Sequence, residues 1–252
     1  MVTRTFFTVL ILCIFLSASF ANASDLKIIA EEYPPYSYRI DGVERGIFVD
    51  LVQLIQEKLG DTPSEIKFYP WARGYRMLQA GEVDILLPMS MTAERSTMFK
   101  FVGPVFWDDI YFYRKKGSKV NVFNFGDAKE VGKIAVTRDD ISHHVLASMG
   151  YHNLDYSSGL EFDFMKLLHG RADLVPMGRR VISYFFKRTH DLDFKEIERV
   201  GPPVYFLSSY IAFSRQISDT VIKKWQAAFD ELRENGEFQK ILDKYFPPDR
   251  VD

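Results

Sequence analysis

The segment from Ser90 to Arg95 contains residue types that bind a small anion. Ser90 and Thr92 precede a short predicted helix, whose first turn leaves backbone N–H groups free to donate. A guanidinium such as that of Arg95 can donate two parallel hydrogen bonds to one carboxylate. The alternative is an exposed ion pair of Arg95 with Glu94 or another acid, which would contribute little. The pattern therefore predicts either a carboxylate-binding site or a surface ion pair, and the spacing alone leaves both open.

A second polar segment, residues 138–144, contains an arginine, two aspartates and two histidines. Asp139 or Asp140 can cap the helix that follows, or neutralise a cationic group of a ligand. His143 and His144 are adjacent on that helix, and adjacent side chains leave a helix about 100° apart. We therefore predict that the two histidines do not chelate a metal ion together, and that the protein has no metal site.

Two stretches of the chain resemble each other and predict where these polar segments lie. Residues 77–89 and 167–177 both contain the end of a helix, a glycine, an aspartate, an apolar strand and then Pro-Met. Because proline has no N–H to donate to a sheet, we expect each strand to end at its proline, Pro88 or Pro176. Ligands bind at the carboxyl edge of an open α/β sheet. Two copies of this unit predict two similar lobes that face each other.

The remaining pattern alternates strands and helices. Apolar residues spaced along one helix face and ending at Gly60 predict a helix over 47–59, and a second helix is predicted over 71–80. This order of elements is typical of an α/β fold. Extended patterns at 109–114 and 205–213 predict one strand that leaves and one that returns, as a two-strand hinge requires.

Composition and charge exclude several classes of protein. The chain has 252 residues, of which 47% are hydrophobic and 26% charged, and this balance excludes an intrinsically disordered or collagen-like protein. Its formal net charge of −2 predicts no general affinity for nucleic acid.

Residues 1–23 have the pattern of a secretory signal peptide. Arg4 precedes an apolar stretch over 5–20 and the sequence Ala21-Asn22-Ala23, so we predict cleavage after Ala23 and a periplasmic protein. A retained membrane anchor is the alternative, but the apolar stretch is short for a span. Cys13 is the single cysteine and has no small residue before it, so we expect no lipidation. The mature chain would then contain no disulfide.

The motifs, taken in order, resemble those of the family 3 periplasmic solute-binding proteins, the polar amino-acid receptors of ABC importers. The matching pieces are Tyr33-Pro34-Pro35-Tyr36, Gly46 with Asp50, Gly81 with Asp84, Ser90 to Arg95, Phe101 to Pro104, 132–136, 170–173 and 211–246. The resemblance implies a periplasmic binding protein-like α/β fold, with two α/β lobes, a two-strand hinge and a ligand cleft between the lobes. We predict the first lobe over 24–109, the second over 110–206, and a return to the first lobe with C-terminal helices over 207–252.

The resemblance also implies contacts with a ligand. Arg95 matches the arginine that binds the ligand α-carboxylate in this family, and Ser90 belongs to the same motif. Tyr33, Tyr36 and Trp71 match aromatic positions that enclose the ligand side chain, where rings can stack on a cation or a planar group. For Tyr36, ordinary packing in the core is an equally good expectation.

Two departures from the family pattern concern the second lobe. The family usually has an acid, which binds the ligand ammonium, five residues after the position of Asp173, and this chain has Gly178 there, followed by Arg179. Two aspartates (139–140), after Arg138, replace the usual Gly-Thr. Either the acid has moved to this pair, or the ligand is not a standard α-amino acid. Arg138 and Arg179 would contact a second anionic group or lie in solvent.

The sequence thus predicts a protein that captures a small zwitterionic or anionic solute, such as an amino acid, between two lobes. It would act as a monomer, without a cofactor or nucleic acid, and deliver the solute to the permease of an ABC importer or to a membrane sensor. The alternative is an enzyme, because a periplasmic cyclohexadienyl dehydratase shares the fold. Such an enzyme needs a general acid in the cleft, for which Glu31, Glu32 and Asp139 are the candidates.

Overall fold

A computed structural model describes residues 26–188 and 193–246. The predicted signal peptide lies outside the described residues. The helices are α1 (Ile47–Leu59), α2 (Trp71–Ala80), α3 (Ala93–Met98), α4 (Ile141–Ser148), α5 (Leu160–Leu168), α6 (Ile182–Arg188), α7 (Asp219–Glu234) and α8 (Glu237–Tyr245). The strands are β1 (Ile28–Ala30), β2 (Tyr38–Ile40), β3 (Val43–Arg45), β4 (Ile66–Phe68), β5 (Ile85–Ser90), β6 (Phe99–Lys115), β7 (Ile134–Thr137), β8 (Leu154–Ser157), β9 (Val175–Gly178) and β10 (Ile197–Ser214).

The first two helices end where the sequence predicts. Gly60 and Gly81 follow α1 and α2 with φ values of 81° and 72°, in the left-handed region that glycine adopts without a steric penalty. The buried face of α1 includes Ile47, Leu51 and Ile55, which recur at the helical period. The predictions of helices over 47–59 and 71–80 are confirmed.

Six strands form one mixed sheet in the order β4-β1-β5-β10-β6-β9. β1 is parallel to both β4 and β5, whereas β10 is antiparallel to β5 and β6. β7 and β8 form a separate parallel pair, which reaches the segment before β9 through a parallel bridge between Ile134 and Leu174. Helices alternate with these strands, so the predicted α/β fold is confirmed.

The long strands β6 and β10 run side by side along most of their length, with 17 and 18 residues respectively. They contain the two extended segments, 109–114 and 205–213, that the sequence predicts as a hinge. Their antiparallel register is interrupted between Val200 and Tyr205 and again between Ser209 and Ile211. With the predicted boundaries, the chain crosses from the first lobe to the second along β6 and returns to the first along β10.

The two repeated stretches form equivalent structures. In the first, the Asp84 carboxylate accepts the N–H of Lys27 at 2.8 Å, and in the second the Asp173 carboxylate accepts the N–H of Lys133 at 2.9 Å. Lys27 precedes β1 and Lys133 precedes β7. Each aspartate therefore fixes the start of the neighbouring strand in its own lobe.

The prediction that each strand ends at its proline is wrong. β5 continues through Pro88 to Ser90, and β9 continues through Pro176 to Gly178. Pro88 lies just beyond the last residue of β5 that pairs with β1, and β9 is an edge strand of the main sheet, so neither position requires a donor on both sides. The carboxyl ends of the two strands are consequently Ser90 and Gly178.

None of the helices within the described ranges combines the length and apolar character needed to cross a membrane.

Candidate functional site

A cavity of about 1110 Å³ lies between the two lobes. Residues from the first lobe and residues from the second both contribute to its wall, as expected for a cleft between lobes. Its wall includes Glu31, Tyr33, Trp71, Ser90, Arg95, Thr137, Asp140, Ser142 and Gly178.

Arg95 is buried in the wall of this cavity, with 2% of its surface exposed. Thr92 caps the short helix α3 by accepting the Arg95 N–H at 3.1 Å, which fixes the start of the helix that carries the guanidinium. Nη1 donates to the carbonyl of Ser90 at 3.1 Å, and Nε has no hydrogen-bond partner among the described residues. The guanidinium also lies 5.2 Å from the centre of the Trp71 ring. Sequence reasoning left open an ion pair with Glu94, and the structure shows none between them.

One backbone carbonyl in the second lobe receives two hydrogen bonds from the first. The Asp139 carbonyl accepts Nη2 of Arg95 at 2.9 Å and Nε1 of Trp71 at 2.9 Å. Asp139 has a φ of 61°, an uncommon value for a residue other than glycine, which aspartate tolerates better than most. Arg95 and Trp71 therefore contact the backbone of the opposite lobe directly.

The three predicted aromatic residues have different positions. Trp71 and Tyr33 line the cavity. Tyr36, with 1% of its surface exposed, packs in the core against Phe48 and Phe106, with ring centroids 5.7 and 5.2 Å away. Of the two readings of Tyr36 that the sequence left open, the structure favours core packing.

Two carboxylates from opposite lobes face the same cavity. Glu31 follows β1 in the first lobe, and Asp140 precedes α4 in the second. Burial raises the pKa of Glu31 well above its usual value, the Asp140 charge raises it further, and Arg95 opposes the shift. Asp140 is the residue before α4, but its side chain makes no capping hydrogen bond, so its carboxylate remains available to a ligand.

Gly178 ends β9 in the cavity wall, and the nearest carboxylate belongs to another strand. A Cβ atom at position 178 would lie only 2.1 Å from Oδ2 of Asp108, on β6. Asp108 is buried, and burial raises its pKa to about 6. Sequence reasoning missed Asp108, since its position just before the alternating hinge segment carries no motif.

Arg138, Asp139 and Arg179 do not line the cavity. The Arg138 guanidinium lies over the Tyr156 ring at 5.3 Å, and Arg179 lies 3.6 Å from Asp109 in a half-exposed ion pair. Asp139 contributes its carbonyl to the contact between the lobes, whereas its neighbour Asp140 lines the cavity.

The two adjacent histidines lie closer together than their helix positions predict. The rings of His143 and His144 stack, with centroids 4.8 Å apart and an angle of 22° between their planes. Their nitrogen atoms and a carboxylate oxygen of Asp139 lie within 4.8 Å of one another, a set that could hold a metal ion. The geometric argument from the helix is therefore wrong, and the absence of a metal site stays a prediction. Nδ1 of His143 already accepts the Asp139 N–H at 3.1 Å.

Known proteins resemble this chain in sequence along most of its length. A probable histidine-binding protein of Neisseria gonorrhoeae is 26% identical over 220 residues, which cover 85% of this chain and 80% of that protein. An L-arginine-binding protein of Pseudomonas aeruginosa is 27% identical over 237 residues, which cover 90% of each chain.

Solved structures show the same fold. A histidine kinase sensor domain with similarity to periplasmic binding proteins superposes with a TM-score of 0.78 at 21% identity, covering 88% of this chain and 96% of that one. An ancestral amino acid-binding protein, described as a precursor of cyclohexadienyl dehydratase, superposes with a TM-score of 0.72 at 19% identity, covering 87% of this chain and 94% of that one. The predicted periplasmic binding protein-like fold is confirmed.

The family model of the bacterial extracellular solute-binding proteins, family 3, matches residues 26–248. This range includes both lobes and the cavity between them. The chain belongs to family 3 of the bacterial extracellular solute-binding proteins.

Proposed function

We propose that this protein binds a small amino-acid-like solute, with one carboxylate and at least one cationic group, in the cavity between its lobes. The observation that carries the proposal is the Arg95 guanidinium, which is buried in the cavity wall without a carboxylate partner among the described ion pairs. A buried cation without an anion is costly. A ligand carboxylate would supply the missing charge and accept from the unpartnered Nε.

The acids in the wall support a cationic group on the same solute. Five acidic side chains and three basic ones line the cavity, so the wall has an excess of negative charge. Glu31 and Asp140 face this space from opposite lobes, and a cation between them would relieve their repulsion. The excess of acidic residues in the wall favours a zwitterionic solute over a purely anionic one. It also suits a basic amino acid, which has a second cationic group. The histidine- and arginine-binding relatives agree with this solute class.

The contact between the lobes supports capture by closure. Arg95 and Trp71 line the cavity and also donate to the Asp139 carbonyl across it. A solute on Arg95 would therefore contact the residues that join the lobes, and would stabilise the closed form through both. We infer that the protein is exported by its predicted signal peptide, acts as a monomer in the periplasm, and presents the closed form to a permease or a membrane sensor.

Calorimetry with the mature protein, residues 24–252, tests the proposal. The twenty standard L-amino acids, ornithine and small carboxylates are first screened by thermal shift, where 1 mM of a ligand with a micromolar Kd adds about 4 kcal/mol of stability. The strongest stabiliser is then titrated into the wild type and the Arg95→Gln variant. We expect the variant to bind about 100-fold more weakly, since it loses a charge-assisted bidentate contact.

Arg76→Gln is the matched control, because Arg76 is exposed on the same helix α2 and does not line the cavity. The control should bind like the wild type, and circular dichroism should show that both variants fold. Equal affinity of Arg95→Gln and the wild type would refute the proposed carboxylate site.

A specific observation also keeps the enzyme alternative in view. The raised pKa of Glu31 would suit a general acid, and Glu31 lies in the cavity wall. The purified protein should be incubated with prephenate and with arogenate and the products separated by chromatography. Product formation that is lost in Glu31→Gln would favour the dehydratase, whereas binding without turnover would favour solute capture.

A further inference from the structure

Asp108 is a buried carboxylate that lies outside the cavity wall. It lies on the crossing strand β6 with 4% of its surface exposed. Oδ1 accepts the N–H groups of Asp109 at 2.9 Å and of Arg180 at 3.2 Å. Oδ2 is buried and has no hydrogen-bond partner among the described residues. One oxygen of the carboxylate is therefore fixed by the backbone, and the other is unpaired.

The unpaired oxygen lies against the wall of the cavity. A Cβ atom built on Gly178 would lie 2.1 Å from Oδ2 and 2.9 Å from the carboxyl carbon of Asp108. Gly178 itself lines the cavity. The Asp108 carboxylate thus occupies the space that a side chain at position 178 would fill. At this position the wall of the cavity consists of the Gly178 backbone alone.

Asp108 forms no ion pair among the described residues. Burial raises the pKa of Asp108 to about 6, although the backbone N–H groups and the Arg180 charge both oppose this shift. The carboxylate is then mostly ionised at pH 7 while one of its oxygens is unpaired. Asp108 also raises the pKa of Tyr33, which lines the cavity, so its field extends to the wall. A cation beside Gly178 would satisfy Oδ2 and neutralise this charge.

We propose that Asp108 binds the primary ammonium group of the solute at the part of the cavity wall formed by Gly178. The inference rests on the proposed function and names the residue that supplies the acidic contact. A compact ammonium suits this position, because only the backbone of Gly178 separates the cavity from the buried Oδ2, and a small shift of this glycine on binding would let the ammonium donate to it. The ammonium contact would then fall on β6, and the space between Glu31 and Asp140 would receive a second cationic group, such as the side chain of a basic amino acid.

The test measures whether Asp108 recognises the ammonium. By calorimetry, the wild type and Asp108→Asn are titrated with L-arginine and with 5-guanidinopentanoic acid, which is arginine without its α-amino group; if another amino acid gives the largest thermal shift, it and its deamino analogue are used. Asp108→Asn should weaken binding of the amino acid about 10- to 100-fold and leave that of the deamino analogue within about 3-fold. Asp109→Asn, one residue along the same strand, is the matched control and should bind both like the wild type.

Relocation of the carboxylate gives a second, independent measurement. Gly178→Asp alone should bind poorly, since its Cβ meets Oδ2 of Asp108. The double variant Asp108→Ala with Gly178→Asp places the acid on the other strand, in the space that Asp108 leaves. We expect it to recover at least about 10-fold of the affinity that Asp108→Ala loses, which a purely structural role of Asp108 would not allow.

The outcomes separate this inference from the proposed function. If the wild type binds an amino acid and Asp108→Asn binds it equally well, the inference is overturned and the proposed function stands. If the wild type binds no amino acid, both are overturned. Thermal unfolding checks that each variant folds, and we expect Asp108→Asn to be at least as stable as the wild type, because it removes a buried charge.

Discussion

The two repeated stretches, 77–89 and 167–177, have the same scaffold, but the residues that directly follow them, Ser90 and Gly178, differ in chemistry. In both, the aspartate after the glycine accepts the backbone N–H of a lysine that precedes a parallel strand of the same lobe. The strands then end at equivalent positions in the cavity wall, at Ser90 in the first lobe and at Gly178 in the second. The two copies therefore share the backbone that leads to the wall, whereas the residue at each strand end, Ser90 or Gly178, differs between the lobes.

The ends of equivalent strands differ in how they present charge, although both lobes also contribute charged residues elsewhere in the wall, such as Arg95 and Asp140. In the first lobe, Glu31 directly after β1 lies in the wall itself. In the second lobe, the positions equivalent to Glu31 and Ser90 are Thr137 and Gly178. A buried acid lies behind each of them: Asp163, which accepts from Thr137 at 2.7 Å, and Asp108 behind Gly178, from the crossing strand. At these equivalent strand ends, the nearest carboxylate therefore lies in the wall of the first lobe and behind the wall of the second.

The largest expected effect concerns the hidden acid Asp163. Burial raises its pKa to about 7, and the Asp140 charge adds to the shift, while Thr137, Ser157 and Lys166 oppose it. In the unfolded chain, the Asp163 carboxyl is already ionised between pH 5 and pH 8. In the folded protein, the same carboxyl is protonated at pH 5 and must lose its proton while buried as the pH rises. The free energy of unfolding therefore falls as the pH rises through this range. The Asp163→Asn variant should lose about 2–3 kcal/mol less unfolding free energy than the wild type between pH 5 and pH 8, as measured by urea unfolding at these two pH values.

Asp243→Asn is the control for this experiment, because Asp243 is exposed on α8. It should keep the pH dependence of the wild type. The same pH dependence in Asp163→Asn and the wild type would show that the second lobe holds no such charge behind its wall.

The next effect tests the space at the strand ends. Gly178→Ala places a Cβ 2.1 Å from Oδ2 of Asp108, and overpacking of this kind costs about 2 kcal/mol. Ser90→Ala, at the equivalent position of the first lobe, removes only a hydroxyl and should cost less than about 1 kcal/mol. Chemical unfolding compares the two, and the second substitution Asp108→Ala should relieve the cost of Gly178→Ala. Equal costs at the two positions would contradict the close approach.

A smaller effect is expected for the acid that lies directly in the wall. Glu31→Gln should weaken binding of L-arginine, or of whichever amino acid gives the largest thermal shift, about 10-fold, since it removes one of the two carboxylates facing the cation. Calorimetry measures the affinity, with the exposed Glu65→Gln as the control. Unchanged affinity would mean that the cationic group does not meet Glu31.

The smallest effect tests the shared scaffold. Asp84→Ala and Asp173→Ala each remove one hydrogen bond to the start of a neighbouring strand, and each should cost about 1 kcal/mol. Because the two sites are equivalent and distant, the costs should agree within about 0.5 kcal/mol and add in the double variant. Urea unfolding measures this, with the exposed Glu82→Ala as the control. A large difference between the two variants would break the equivalence of the repeats.

The sequence predicts the scaffold well because the scaffold depends on local chemistry. The apolar period and Gly60 determine α1, and the Thr92 hydroxyl caps the helix that carries Arg95. The prediction that the strands end at their prolines fails, because the missing N–H of a proline matters only where a neighbouring strand would accept it. The sequence of one strand does not show which strands lie beside it. The lobe boundaries stay a prediction.

The cavity wall is less predictable, since it is built from residues distant in sequence. Asp108 and Gly178 are 70 positions apart, and no local pattern relates them. Asp139 and Asp140 are equivalent in the sequence, but the left-handed φ of Asp139 directs its carbonyl to the first lobe and leaves Asp140 in the wall. The resemblance to a family supplied Arg95, Trp71 and Tyr33, whereas the departures from it required the structure.

The contact between the lobes has a consequence for the evolution of this turn. Arg95 and Trp71 donate to the carbonyl of Asp139, an atom that every residue possesses. Selection at position 139 would then act on the ability to adopt a positive φ, rather than on the carboxylate. Among relatives that keep Arg95 and Trp71, glycine or asparagine at this position would preserve the contact, and β-branched residues would be rare.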